Sequence, residues 1–570
     1  MTSRSVIAFA RRGAGSSLTG RYRSLIALAT VVAAILTVSA RAAQTTEYGF
    51  LTGNEFVSSY GTSYSNLQYT VTVGGITYGA GYSDRYNGAD VSKGRAAWLV
   101  NISVGNSSIV RLGLTGDEFT KNYGDDFATV GLQSSSVSAL TAAGYLYGTS
   151  TEYHEGSSNF GTALWVATVS APTAKRIGLY DYTDPADDAP VSNEFTTNAG
   201  NHQSQIISSA AALPITADGW LTGYSTRYSG TTFALGQAAW LANAATGVTI
   251  RVGLSAADAD TAGEFTKNDG TLTTILDTTA LGKQAWADWG ALLGTTARYT
   301  GAAAANGPAA LWVAQIATGS TARLGLHDTP YVDIVSGSTI TPHTYTSADG
   351  VNDTAITGHT DSGLLWGRTL VYNNNTDSVG QTAWLFDTAA FDSVTFDFST
   401  GADGEKFSQL NGITADGLAF GSATLFADDL DLLPALDLTR SATRAFLWDA
   451  DHGAHLLDAT VLDGTVWQDF LERNNVAYLT DITAITGSLG DLDSLSIFGT
   501  GYDLFDNWGQ FELQLIPEPS TWALLVTGLG LLLILSVRRN RGEEIFLPGE
   551  KCTTKTRRHE GFLQGVHGGP

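Results

Sequence analysis

The 570-residue chain contains a single cysteine, Cys552, close to its C-terminus. The rest of the chain therefore has neither a disulfide framework nor a thiolate metal site. The nine histidines show no HExxH or other metal-ligand spacing, and the chain has no Gly-x-Ser-x-Gly elbow and no phosphate-binding loop. We therefore predict that the protein is not an enzyme and that it has no catalytic residues, cofactor or metal.

Basic residues are scarce in the central part of the chain, and the net charge is −24. Six of the 31 bases precede Gln44 and seven follow Ile516, which leaves 18 bases against 50 of the 55 acids in between. A body this acidic repels phosphate groups, so we exclude nucleic acid as a partner. The charge suits cations or a hydrated polymer matrix, and solubility alone is the alternative interpretation.

Proline is also scarce, with 12 residues against 64 glycines, and 43% of the residues are hydrophobic. The hydrophobic content excludes a disordered chain. The excess of glycine over proline favours many tight turns rather than a proline-rich linker.

The N-terminal segment is basic and is followed by an apolar run from Leu25 to Val38. Small residues come next, with Ala40 and Ala42 at the two positions of an A-x-A site. Residues 1–43 are therefore predicted to be a secretory signal peptide that signal peptidase cleaves after Ala42 or Ala43. A short anchor helix is the alternative, although the run is short for a membrane span.

The C-terminal region contains a glutamate between two prolines, then an apolar stretch from Trp522 to Val537, then an arginine cluster. The residues that mark the two ends of this pattern are Pro517, Glu518, Pro519, Arg538, Arg539 and Arg541. At 1.5 Å per residue the apolar stretch would form a helix of about 24 Å, a minimal transmembrane span. The arginines would stay in the cytoplasm and leave the large body outside.

This order of parts closely resembles the PEP-CTERM sorting signal of Gram-negative bacteria. The resemblance implies recognition by an exosortase, a membrane-embedded cysteine-protease-like enzyme. It also implies processing near Pro517–Pro519 and release to the cell surface or an exopolysaccharide matrix. The chain departs from the family in residues 542–570, a polar tail that we predict to be disordered, because such signals usually stop soon after the basic cluster. A plain C-terminal anchor is the alternative.

A sequence pattern recurs six times between the two terminal regions: a glycine, an aromatic residue five positions later, and a tryptophan. The step from glycine to tryptophan is 17 or 18 residues in the first five copies and 27 in the sixth. The glycines are Gly81, Gly148, Gly223, Gly294, Gly367 and Gly421. The aromatic residues are Tyr86, Tyr153, Tyr228, Tyr299, Tyr372 and Phe426. The tryptophans are Trp98, Trp165, Trp240, Trp312, Trp384 and Trp448.

Three or four short strands per copy predict an all-β fold, specifically a β-propeller of six or seven blades over residues 44–516. A β-solenoid is the alternative, but the unit is long for one coil. The stretch from Ile413 to Gly421 also resembles HAF-type extracellular repeats, which implies a propeller-like fold. We expect the tryptophans to fill the space between adjacent sheets and the glycines to lie where neighbouring blades crowd together. We also expect a hairpin over residues 503–515 to pair with the N-terminal strands.

Candidate binding residues recur with the repeat. The tyrosines Tyr86, Tyr153, Tyr228, Tyr299 and Tyr372 are either a ring of aromatic platforms for sugars or a repeated packing contact. An arginine near the end of each of the first four copies is expected to pair with a nearby acid: Arg111, Arg176, Arg251 and Arg323. Two acidic groups resemble fragments of calcium loops but lack the glycine and glutamate of an EF-hand, which also allows plain solvated loops: Asp428, Asp429 and Asp431, and Asp491 and Asp493.

The sequence as a whole predicts an exported bacterial surface protein with a structural or binding role. It consists of a signal peptide (1–43), a repeat body (44–516), a sorting signal with a transmembrane helix (517–541) and a tail (542–570). The expected partners are signal peptidase, an exosortase-type enzyme and exopolysaccharide. A secreted propeller enzyme acting on polysaccharide, which would need two carboxylates facing each other across a cleft, and a lectin-like module are the alternatives.

Overall fold

The computed structural model describes residues 51–514 and 526–536 with internal gaps. The gaps are residues 52, 87, 90–91, 105–107, 122–130, 154–159, 182–193, 198–199, 209–211, 229–231, 256–263, 268, 300–306, 329–343, 427–441, 460–465, 489–490 and 535. The predicted signal peptide, the Pro517–Pro519 motif, the arginine cluster and the tail lie outside the described residues.

The described residues are mostly in β-strands, which form large sheets. The chain falls into two compact units. The first unit contains Met1–Leu410 and Ala423–Pro434, and the second contains Asn411–Ser422 and Ala435–Pro570.

Each of the six copies consists of four successive strands. The first strands are β1 (Ser65–Val73), β5 (Gln133–Leu140), β9 (His202–Ile206), β13 (Leu272–Leu276), β17 (Thr354–His359) and β21 (Phe407–Ile413). The second are β2 (Ile76–Asp84), β6 (Tyr145–Glu152), β10 (Trp220–Thr226), β14 (Ala291–Thr296), β18 (Leu364–Val371) and β22 (Ala419–Thr424). The third are β3 (Gly94–Asn101), β7 (Gly161–Thr168), β11 (Gly236–Asn243), β15 (Ala310–Gln315), β19 (Gly380–Asp387) and β23 (Thr443–Asp449). The fourth are β4 (Val110–Leu112), β8 (Lys175–Ile177), β12 (Thr249–Val252), β16 (Thr321–Arg323), β20 (Asp392–Phe396) and β24 (Gly453–Leu456).

The turn between the first and second strands has a repeated Thr-x-x-Gly sequence. In the second copy, the Gly144 N–H donates to the Thr141 carbonyl at 2.9 Å, and the Thr141 hydroxyl accepts from the Tyr145 N–H at 3.0 Å. In the fourth copy, helix α1 (Ala280–Asp288) stands in place of this turn and buries Trp286. A turn at Gly74 and Gly75 joins β1 and β2.

The first four copies are joined in succession by a short parallel pairing. The beginning of a third strand pairs with the beginning of the next copy's first strand, as Gly161 pairs with His202. The same pairing joins Gly94 to Gln133 and Gly236 to Leu272. A glycine is needed here because a Cβ on Gly161 would lie 1.7 Å from the His202 carbonyl oxygen.

The repeated glycines lie directly opposite the repeated tryptophans in the same sheet. Gly294 is in register with Trp312, and Gly367 with Trp384. A Cβ on Gly294 would lie 2.2 Å from the Trp312 ring. The glycine therefore makes room for the indole of its own copy, which differs from the crowding between blades that we expected.

The tryptophan rings pack between neighbouring copies, as predicted. Trp165 belongs to a cluster with Leu99 and Leu112 of the preceding copy. Trp384 packs in the same way with Val313 and Leu324. The rings of Trp98, Trp165, Trp240, Trp312 and Trp384 are almost completely buried, whereas Trp448 is partly buried, so the tryptophans of the second to fifth copies complete the core of the preceding copy.

The second unit contains helix α2 (Val466–Arg473) and a separate sheet of three antiparallel strands. These strands are β25 (Val476–Ser488), β26 (Asp491–Asp503) and β27 (Trp508–Gln514). One face of the sheet packs on Phe470 and Leu471 of α2. The hairpin of β26 and β27 was predicted, but its expected pairing with the N-terminal strands is wrong, because β27 pairs with β26 in this separate sheet.

Part of the predicted membrane segment is described, and its residues 526–534 are helical. Within the described ranges, no helix combines the length and the apolar character that crossing a bilayer requires. The transmembrane helix of residues 517–541 stays a prediction.

Candidate functional site

The repeated tyrosines are anchored through their backbone. The Tyr299 N–H donates to the carbonyl oxygen of Glu264 at 2.7 Å, and the Tyr372 N–H donates to that of Thr344 at 2.8 Å. The bonds of Tyr86 to Glu55, Tyr153 to Glu118 and Tyr228 to Glu194 are all 2.7 Å long. Each acceptor precedes an aromatic residue in the segment before the first strand of its copy, so this bond fastens the loop after the second strand to that segment.

The side chain of the acceptor glutamate forms a cluster with two arginines. In the fourth copy, Glu264 Oε1 lies 2.9 Å from Arg298 Nε and 3.0 Å from Arg323 Nη1. The side chains of Arg298, Arg323 and Glu264 are 0%, 9% and 18% exposed. Burial by itself would raise the pKa of Glu264, but Arg323 and Arg298 outweigh it and hold the pKa below its ordinary value. The carboxylate is therefore ionised near neutral pH and cannot act as a proton donor there.

The first and third copies repeat the arginine–glutamate–arginine cluster. Arg85 Nε and Arg111 Nη1 lie 2.5 and 3.3 Å from Glu55 Oε1. In the third copy, Arg227 Nε and Arg251 Nη1 lie 2.8 and 3.0 Å from Glu194 Oε1. The predicted pairing of the repeated arginines with acids is thereby confirmed in these copies.

In the second copy the charges are exchanged, so that one arginine lies between two glutamates. Glu152 occupies the position before the tyrosine, where the other three copies have an arginine, and it is completely buried. Arg176 lies between two carboxylates, with Nη1 2.5 Å from Glu118 and Nη2 2.6 Å from Glu152. His202 Nδ1 lies 3.5 Å from the second oxygen of Glu152.

His202 also brings a serine into the second cluster. Its Nε2 lies 3.2 Å from Ser204 Oγ and 3.0 Å from the Leu179 carbonyl oxygen. Glu152, His202 and Ser204 thus follow the order of an acid–base–nucleophile triad. A carbonyl only accepts, so Nε2 carries a proton and cannot take one from Ser204.

The serine of this arrangement belongs to the packing of the repeat. Ser204 is hydrogen-bonded to Ser225 at 2.7 Å, and the preceding copy has the same contact between Ser135 and Ser150 at 2.7 Å. Gln133 there takes the place of His202. Glu152, His202 and Ser204 are all buried, so they have the order of a triad but are not accessible to a substrate.

The tyrosine side chains are less open than a sugar platform requires. Tyr153, Tyr299 and Tyr372 are buried, and Tyr86 and Tyr228 are partly buried. A buried ring cannot stack on a sugar, so packing is the interpretation that fits the first three positions.

The glutamates of the clusters were missed in the sequence, although a pattern marks them. Four glutamates precede a phenylalanine, at Glu55, Glu118, Glu194 and Glu264. They stand 31, 35, 34 and 35 residues before the tyrosines that they anchor. The varying spacing and the many other acids of the body hide this pattern.

The remaining predicted site residues are the two acidic groups and the motifs near the chain termini. Asp428, Asp429 and Asp431 lie outside the described residues, as do the cleavage and sorting motifs. Asp491 and Asp493 begin β26. In the part of the chain that the structure describes, no three His, Cys, Asp or Glu side chains are grouped so that they could hold a metal ion.

Comparisons with known proteins give no family. No family model matches the chain, and no curated protein matches it. Similar solved structures include the acylaminoacyl peptidase of Pyrococcus horikoshii, with a TM-score of 0.20, 7% identity and coverage of 80% of this chain and 53% of that one. The chain therefore spans about half the length of that peptidase.

Other similar structures come from unrelated classes. The Dos1 propeller has a TM-score of 0.17 and 10% identity, over 76% of this chain and 81% of that one. The GH74 xyloglucanase of Xanthomonas campestris has a TM-score of 0.18 and 12% identity, over 75% of this chain and 50% of that one. Likenesses this slight assign neither a fold nor an activity to the chain.

Proposed function

We propose that the protein is an exported bacterial surface protein, sorted by an exosortase-type enzyme, with a structural or binding role in the envelope or an exopolysaccharide matrix. The observation that carries the proposal is the order of parts at the C-terminus: Pro517–Pro519, an apolar stretch, and the Arg538, Arg539 and Arg541 cluster. The N-terminal signal peptide supports export independently.

In this proposal the repeat body is a β-propeller. Four-stranded antiparallel copies, six in succession, are the building plan of such a fold. The tryptophans support it, because they bury each copy against the one before. We assign the charged clusters a structural role in this body, since their arginines and glutamates pair with one another.

The proposal is tested by fractionating cells of a host that carries an exosortase. The wild-type chain is expected at the cell surface and in the medium. A chain with Pro517→Ala, Glu518→Ala and Pro519→Ala is expected in the membrane fraction at a higher mass, because the processing enzyme no longer recognises it. Pro548→Ala, in the predicted tail, is the matched control and is expected to behave as wild type. A wild-type chain found soluble in the cytoplasm would overturn the proposal.

A further inference from the structure

A series of stacked side chains in the second unit ends at an exposed tryptophan. The Arg444 guanidinium lies 3.6 Å from the centre of the Tyr478 ring, and Arg444 is itself paired with Asp458 at 2.5 Å. The Tyr478 and Tyr502 rings are 5.2 Å apart, and Tyr502 is 5.2 Å from Trp508 in an edge-to-face arrangement. The series crosses the three strands, and its last ring is 58% exposed.

The loop that precedes Trp508 is held in one conformation. Asp503 accepts hydrogen bonds from the backbone N–H groups of Phe505 and Asn507, both at 2.8 Å, and from the Asn507 amide at 2.9 Å. The hydrogen bond from Asn507 is the main cause that lowers the pKa of Asp503, so this cap is anionic near neutral pH. Trp508 is therefore presented by a fixed loop and a stacked neighbour, which reduces the entropy that a ligand would cost on binding.

The rest of this face combines hydroxyl, amide, carboxylate and aromatic side chains. Thr500 pairs with Gln510 in the row next to Trp508, Phe498 pairs with Glu512 in the row after that, and Ser496 pairs with Gln514 in the last. Gln510, Glu512 and Gln514 are exposed. Residues 476–514 contain no lysine or arginine.

We propose that this face, which we call the Trp508 face (Tyr502, Trp508, Thr500, Gln510 and Phe498), binds a neutral polysaccharide. A sugar ring has an apolar C–H face and polar hydroxyl edges. The exposed indole can stack on the C–H face, and the hydroxyl and amide groups of Thr500 and Gln510 can form hydrogen bonds with the hydroxyl edges. Phe498 lies four residues along β26 from Tyr502, about 13 Å away, which provides a second apolar position for an extended chain.

The charge and position of the face favour a neutral glycan over a polyanion or an anionic lipid surface. Arg444 is buried and paired with Asp458, so this face exposes no cation to pair with phosphate or carboxylate groups, and its acids repel polyanions. Trp508 begins a strand of seven residues, and the end of the strand that precedes the predicted membrane segment in the sequence lies about 20 Å away from it. A neutral glycan therefore fits the face better than an anionic lipid surface does.

The inference rests on the proposed function, because it names the ligand of a surface protein, and it is tested on the purified full chain in detergent. Native gels are cast with laminarin, dextran or galactomannan, and with alginate as a polyanion. We expect at least one neutral polysaccharide to retard the wild-type chain and Trp508→Ala to weaken that binding about tenfold. Trp508→Phe should retain most of the binding. Phe233→Ala removes another exposed aromatic side chain, which is 78% exposed, and it should change nothing.

Several outcomes would overturn the inference. They are the absence of retardation by all three neutral polysaccharides, retardation by alginate alone, and equal retardation of the wild type and Trp508→Ala. Flotation with vesicles of phosphatidylethanolamine and phosphatidylglycerol that is lost in Trp508→Ala, without retardation in the gels, would assign the face to lipid instead. Trp508-dependent self-association without retardation would assign it to a second copy. Because the test uses purified protein, a chain that binds glycan but is not sorted would overturn only the proposed function.

Discussion

The fourth and fifth copies share a backbone arrangement but differ in three charged residues. The fourth has Glu264, Arg298 and Arg323 in contact. The fifth has Thr344, Val371 and Thr395 at the same three positions, since Tyr372 is anchored to Thr344 and Thr395 lies opposite the tryptophan, as Arg323 does. The tyrosine bond and the glycine–tryptophan pairing are present in both copies.

This difference distinguishes the contacts that maintain the fold of a copy from the side chains that can be exchanged within it. The hydrogen bond from the tyrosine N–H and the packing of the tryptophan are common to both copies, so they carry the architecture. The charged cluster is replaceable as a set, because two arginines and a glutamate disappear together and leave no unpaired charge. The comparison therefore predicts that loss of one member costs more than loss of all three.

The largest effect is expected when one member of the fourth cluster is removed. Glu264→Gln leaves Arg298 and Arg323 close together without a counter-charge, and we expect the free energy of unfolding to fall by about 3 kcal/mol. Chemical denaturation followed by tryptophan fluorescence measures this loss. Asp269→Asn is the control, because Asp269 forms an exposed ion pair with Lys267 at 2.7 Å, and it should change little. A similar loss in both variants would contradict a special role for the cluster.

The next effect tests the element that both copies share. Gly294→Ala and Gly367→Ala should each lower the free energy of unfolding by about 2 kcal/mol, because the added Cβ would lie 2.2 and 2.5 Å from the tryptophan rings. Gly74→Asn, in a turn with φ of 57° and open space, is the control and should be neutral. A loss in only one of the two copies would show that the glycine–tryptophan pairing is not common architecture.

A smaller effect is expected when the fourth copy takes the residues of the fifth. The combined variant Glu264→Thr, Arg298→Val and Arg323→Thr removes every charge of the cluster, and we expect a loss of only about 1 kcal/mol. The same denaturation experiment compares it with Glu264→Gln. If the triple variant were the less stable of the two, the cluster would not be replaceable as a set.

The smallest effect concerns pH. The pKa of Glu264 is lower in the folded chain than its ordinary value of 4.5, so its contribution to stability is fully present above pH 4.5 and is lost as the pH falls through the folded pKa. The stability difference between the wild type and Glu264→Gln should therefore shrink in acid. Denaturation at a series of pH values from neutral to below 4.5 checks this, and a difference that stays constant would contradict it.

The sequence revealed the residues that recur at a fixed spacing. Gly81 to Trp98 and its counterparts keep a spacing of 17 or 18 residues because both lie on adjacent strands of one copy. The packing of the tryptophans between copies followed from the repeat itself. The recurrence of these residues was visible in the sequence, but the opposition of the glycine and the indole within one copy was not predicted, because nine residues separate β2 from β3.

Other features could not be read from the chain. Arg323 pairs with Glu264 across 59 residues, and the body contains many acids, so the correct partner does not stand out. The burial of Tyr299 and Tyr372 depends on loops of variable length. The separate sheet of the second unit depends on the core around Phe470, which breaks the repeat and leaves no periodic trace in the sequence.

The measurement that most directly tests the central claim, that this chain is an exported and sorted surface protein, is the intact mass of the protein recovered from the cell surface and the medium. We predict a chain that begins near Ala43 and ends near Pro519. A chain that retains Arg538 and the residues up to Pro570 in the membrane fraction would contradict processing and would make the C-terminal region a plain anchor.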